Sequence, residues 1–195
     1  MLSQKQGEII VKFARHTIES YFEGKELKEP DDFSQKQGVF VTLLKFPEQE
    51  LRGCIGFPYP ALALNKAVKE AAKSAAFNDS RFLQLQKNEL EDIIIEISVL
   101  TLPQEMKCKK EALPKNIEIG KDGLIVSWQG KNGLLLPQVA KEWKWSSREF
   151  LGQVCIKAGL NKEAWKQRNC KIYKFQAQIF SEENPDGKIF ERKIT

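Results

Sequence analysis

At 195 residues, 42% hydrophobic and 29% charged, the chain has the size and composition of one folded domain, or of two closely packed subdomains sharing a core. No apolar run approaches the roughly 18 residues that cross a bilayer, and Met1-Leu2-Ser3-Gln4-Lys5-Gln6 lacks the apolar segment of a secretory signal, so a cytoplasmic protein with no membrane partner is expected. The net charge of +5 comes from 31 basic and 26 acidic residues that are mostly interspersed, and even the densest basic cluster, Lys107-Cys108-Lys109-Lys110, runs straight into Glu111, which argues against the basic stripe of a nucleic-acid surface.

In chain order, residues 7–22 carry Ile9, Ile10, Phe13, Ala14, Ile18, Tyr21 and Phe22 at helical spacing, and Gly24 follows where helices commonly end. Residues 25–36 are polar and read as a loop, whereas 38–46 are rich in β-formers and predict a strand. Pro47-Glu48-Gln49-Glu50 turns the chain into a second strand over 51–55. Ala61, Leu64, Val68, Ala71, Ala72 and Ala75 then recur at helical spacing, with Pro60 placed in the first turn of that helix. A polar break at 78–82 precedes a strand over 91–102 with Ile93, Ile95, Ile97 and Val99 on one face. Residues 123–128 and 133–136 predict a hairpin turned through Gly130-Lys131-Asn132-Gly133. Residues 137–143 open a short helix, and Ser146 with Glu149 forms a capping box for another that holds Phe150, Leu151, Val154 and Ile156 and stops at Gly159. A helical turn over 161–167, a strand over 171–181, and a turn at 184–187 before a pairing tail complete the chain. Strands outnumber helices and are joined by tight turns, which favours an antiparallel α+β sheet over βαβ repeats.

The stretch richest in chemistry is Leu51-Arg52-Gly53-Cys54-Ile55-Gly56. Its glycines allow positive φ or a close approach to the backbone. Two readings stay open. In the first, Cys54 is a nucleophile or redox thiol, and Arg52 lowers its pKa or binds an anionic substrate. Backbone around Gly53, Ile55 and Gly56 then cradles a ligand. Asp79 serves as acid or base and Arg81 as anion ligand, brought near because they flank the same helix. In the second reading, the strand simply packs tightly under a helix, Cys54 is a buried hydrophobe, and Arg52 pairs with Asp79.

The remaining chemistry is sparse. Cys54, Cys108, Cys155 and Cys170 show no Cys-x-x-Cys spacing, so neither a disulfide framework nor a zinc site is expected. His16, the only histidine, lies beyond the edge of its helix's apolar face and reads as a surface residue. Gly-x-Ser-x-Gly, Walker and Rossmann motifs are absent, and no metal or cofactor is expected.

Taken together, several segments resemble the microbial branch of the AMMECR domain family. They are the hexapeptide 51–56, Asp79-Ser80-Arg81-Phe82, Ile97-Ser98-Val99-Leu100-Thr101, and Gly120-Lys121-Asp122-Gly123-Leu124-Ile125-Val126. Gly133-Leu134-Leu135-Leu136-Pro137-Gln138-Val139-Ala140 and Cys155-x-Lys157-Ala158-Gly159-Leu160 continue the likeness over nearly the whole chain. The resemblance implies an α+β fold in which helices flank an antiparallel sheet, with a second, smaller subdomain and a cleft beside the hexapeptide strand. It also implies a functional link to Memo-like and radical-SAM proteins, beside which some microbial relatives are encoded or to which they are fused. The resulting expectation is a small-molecule-binding or catalytic protein with its site around Arg52-Gly53-Cys54. The alternative is a noncatalytic interaction module using Trp128, Trp143, Trp145 and Trp165, and nucleic-acid binding stands third.

Overall fold

The computed structural model describes residues 1–193. In chain order the elements are α1 (Gln4–Phe22), β1 (Gly38–Lys45), β2 (Leu51–Phe57), α2 (Leu64–Phe77), β3 (Ile93–Leu100) and β4 (Gln104–Glu105). There follow β5 (Asp122–Trp128), β6 (Lys131–Leu135), α3 (Pro137–Glu142), α4 (Ser147–Lys157), β7 (Lys171–Glu182) and β8 (Ile189–Arg192). The chain divides into two compact units, the first holding residues 1–100 and 178–192 and the second residues 101–177. Strand β7 runs through both.

In the first unit β1 pairs antiparallel with β2 on one side and with β3 on the other, and β2 is the edge strand. Helices α1 and α2 pack against each other, and α2 lies on β1 and β2. The alanines of α2 explain the closeness of that contact: Ala67, Ala71, Ala72, Ala75 and Ala76 are all buried. The capping box of α1 is formed by Ser3 and Gln6. On that helix Arg15 is buried and forks onto Glu182, with Nε and Nη2 each 2.6 Å from a carboxylate oxygen. The backbone N–H of Ile95 also donates to Glu182, so this buried pair is hydrogen-bonded at both ends.

The second unit builds its own core from Leu124, Val126, Phe150, Leu151, Val154, Cys155, Trp165 and Ile172, among others. Strand β5 pairs with β6 and with the first part of β7, all antiparallel. The capping box of Ser146 and Glu149 opens α4 as the sequence predicts.

The structure differs from the sequence reading in several places. Ile93, Ile95, Ile97 and Val99 share one face of β3, and the opposite face, Ile94, Glu96, Ser98 and Leu100, is buried as well although two of its residues are polar. Helix α2 begins at Leu64, so Pro60 lies ahead of it and not in its first turn. The β5–β6 turn is Gln129-Gly130, both at positive φ, which leaves Lys131 and Asn132 inside β6. The predicted turn of helix at 161–167 shrinks to the 3-10 segment Ala164–Lys166. Ile9, Tyr21 and Ile156, assigned to apolar helix faces, are exposed.

Candidate functional site

The hexapeptide is the edge strand β2, and each of its residues has a visible task. Gly53 faces α2: a Cβ placed there would stand 2.2 Å from the carbonyl oxygen of Ala75. Gly56 is confined as tightly, with the carbonyl oxygen of Val39 at 2.3 Å and the Phe40 ring at 2.5 Å from a Cβ in its place. These two glycines are therefore required by backbone packing, whatever else they do. Ile55 packs, half-buried, on the first core.

Cys54 turns its backbone away from β1, toward the open edge of the sheet. There its N–H donates to Asp79 Oδ2 at 2.9 Å, and its carbonyl accepts from Arg81 Nη2 at 3.0 Å. Asp79 and Arg81 are joined by Nε–Oδ1 and Nη2–Oδ2 bonds of 2.9 and 2.7 Å. The loop after α2 thus presents one carboxylate and one guanidinium that replace the missing neighbour strand at Cys54. Such side-chain closure of an edge is one way sheets avoid pairing with other chains. The Arg81 guanidinium, aided by the Cys54 N–H, holds the buried Asp79 carboxyl down at about 2.

The thiol itself is half-buried and accepts a hydrogen bond from Thr42 Oγ1 at 3.3 Å. Burial pushes its pKa up, outweighing the Thr42 hydroxyl and the Arg81 charge that act the other way. The expectation that Arg52 lowers this pKa does not hold. The Arg52 guanidinium is engaged by Glu89 instead, with Nε–Oε1 at 2.7 Å and Nη2–Oε2 at 2.9 Å, at the point where the β1–β2 register shifts between Leu43 and Leu44 and passes over Arg52. The alternative pairing of Arg52 with Asp79 is corrected by the same bonds. Of the sequence candidates, Asp79 and Arg81 converge on the Cys54 backbone, and Arg52 does not join them.

Arg52 instead forms part of a neighbouring groove of 540 Å³ in the first unit. Leu51, Phe82 and Leu83 supply its apolar surface, and Lys45, Arg52 and Glu89 its charged groups. Leu83 is 88% exposed and Leu51 39%, and both line the groove. Arg52 is only 8% exposed, and its Nη1, the nitrogen left over from the Glu89 fork, is buried without a hydrogen-bond partner among the described residues. Sequence reasoning missed Lys45, Leu83 and Glu89. Glu89 accepts the Gln86 backbone N–H at the start of a short 3-10 segment, but Gln86 is not one of the Ser, Thr, Asp or Asn caps that mark such a start in a sequence. Nothing in the sequence marked Leu83 as exposed.

Away from this site, burial raises the Cys155 thiol to about 11 and also raises Cys170, which leaves both unsuited to thiolate chemistry at neutral pH. Trp128, Trp145 and Trp165 pack on the second core, while Trp143 is exposed and stacks on Trp145. Among the described residues no cluster of three or more His, Cys, Asp or Glu side chains is arranged to hold a metal ion, and no helix is long and apolar enough to cross a membrane.

Comparison with known proteins agrees with this fold. The family model described as AMMECR1 matches residues 11–180. A Methanocella arvoryzae protein is 45% identical across all of both chains, and Protein MJ0810 of Methanocaldococcus jannaschii is 44% identical over all of this chain and 98% of its own. The crystal structure of the uncharacterized protein PH0010 from Pyrococcus horikoshii superposes with a TM-score of 0.94 at 42% identity, over 98% of each chain.

Proposed function

Because the chain belongs to the AMMECR1 family and carries an open groove beside its hexapeptide strand, we propose that it is a small-molecule-binding protein whose site is that groove. The observation that carries the reading is the groove itself. It has the volume of a small-ligand site, apolar surface from Leu51, Phe82 and Leu83, and a few charged groups to orient what binds. The site lies at the Arg52 end of the hexapeptide and not at its thiol. Arg52 contacts the ligand. Gly53, Cys54, Ile55 and Gly56 build the strand behind it, and Asp79 with Arg81 fixes the loop that carries Phe82 and Leu83. In this reading Cys54 works as a neutral thiol in the scaffold. The ligand belongs to chemistry shared with Memo-like and radical-SAM proteins, the link implied by the family resemblance.

The test uses N-phenyl-1-naphthylamine, a neutral apolar dye that brightens when it leaves water. Wild type is expected to bind it saturably. Leu51→Ser and Leu83→Ser alter exposed side chains and leave the core intact, and each is expected to weaken binding at least fivefold. Equal binding by wild type and both variants would reject the groove as the site.

A further inference from the structure

Taking the groove as the binding site, we infer that its ligand is a small amphipathic carboxylate. The acyl or aromatic body lies on Leu51, Phe82 and Leu83, and the carboxylate faces Arg52 and Lys45.

The charges of the groove decide the sign. Its one carboxylate, Glu89, is already committed: both oxygens accept from Arg52, and one also accepts from the Gln86 N–H. Glu89 therefore has little left to offer a cationic ligand. Arg52 remains a donor, because Nη1 has no acceptor among the described residues although the residue is more than nine-tenths buried. A buried guanidinium nitrogen without an acceptor is unfavourable, and an incoming oxygen that reaches it relieves that cost. Lys45 adds a second, mobile cation. Its Nζ stands 3.8 Å from Glu50 in a pair whose side chains are both more than half exposed, so the contact is weak and readily exchanged. The groove thus sets two cationic side chains, Arg52 and Lys45, and one already paired carboxylate next to an apolar surface, with the amides of Gln84 and Gln86 completing its lining. A carboxylate fits a guanidinium edge better than a hydroxyl or an amide does, since both of its oxygens accept.

The discriminating experiment displaces N-phenyl-1-naphthylamine from the full chain with two ligands of similar shape and opposite charge, 1-naphthylacetate and 2-(1-naphthyl)ethylammonium. Naphthylacetate is expected to bind at least tenfold more tightly at low salt, with the margin narrowing as salt rises. Lys45→Met changes a half-exposed side chain and is expected to reduce the margin at least threefold. Arg52→Lys keeps the charge but loses the leftover N–H, and it is expected to reduce the margin further. Equal or tighter binding of the ammonium ligand, with the neutral dye still bound, would overturn the carboxylate assignment and leave the groove reading standing. An unchanged margin in Lys45→Met and in a folded Arg52→Lys would overturn it as well. If neither ligand nor the neutral dye binds, the groove reading fails and this inference fails with it.

Discussion

Asp79→Ala is expected to destabilise the protein by about 3 kcal/mol, and Arg81→Ala by about 2 kcal/mol, because it leaves the buried Asp79 carboxylate without its charge partner. The asymmetry follows from what each change leaves behind. Asp79 is 6% exposed and is the acceptor for the Cys54 N–H, so its removal orphans a backbone donor at the sheet edge along with the Arg81 fork. The Arg81 side chain is about half exposed. Its loss frees the Cys54 carbonyl to accept from water, while Asp79 continues to hold the N–H. Denaturant unfolding of the two single variants measures the difference directly. The same pair gives the fold an acid dependence. The Asp79 carboxyl sits at about 2 in the folded chain, below its unfolded value. A depressed carboxylate contributes its stability above the unfolded pKa and loses it as pH falls toward the folded one. About 2 kcal/mol should therefore disappear between about pH 4 and pH 2, and Asp79→Asn should remove that part of the acid transition.

Gly53→Ala is expected to cost about 3 kcal/mol, the upper part of the usual range for overpacking. The added Cβ would meet the Ala75 carbonyl oxygen at 2.2 Å, and that atom belongs to helix backbone instead of to a side chain that can swing away. Either α2 lifts from β2 or the strand shifts, and both disturb the packing of α2 on the sheet. A purely ligand-related glycine would behave differently, losing affinity while keeping its stability. Thermal or denaturant unfolding of Gly53→Ala separates the two explanations. Gly56→Ala, facing the Val39 carbonyl oxygen and the Phe40 ring, is a second instance of the same effect.

Much of the fold was legible because the helices and strands carry strong local patterns. The Ser146–Glu149 capping box, the alanine spacing of α2 and the β-formers of β1 and β3 each indicated an element that the structure contains. What failed was information held in three dimensions. Complete burial of β3 depends on what covers both of its faces. The start of α2 depends on the path of the chain after Pro60, which local helix rules do not fix. The site shows the same limit. Residue types around Cys54 signalled charge and close backbone approach, and both are present. The sequence does not encode which charge meets which: Arg52 goes to Glu89, thirty-seven residues away, and leaves Asp79 to Arg81. A motif that reads as an activated thiol is, in the fold, an edge strand closed by an ion pair and placed beside a groove.

The most direct test of that view is the pH dependence of Cys54 alkylation by iodoacetamide in the folded protein, followed at the Cys54 peptide by mass spectrometry. A thiol raised by burial and held by Thr42 should react slowly at neutral pH, with a rate that goes on climbing with pH beyond the range in which an unhindered cysteine levels off. A fast reaction with a midpoint near pH 7 or below would show a stabilised thiolate, and would return Cys54 to the centre of the site.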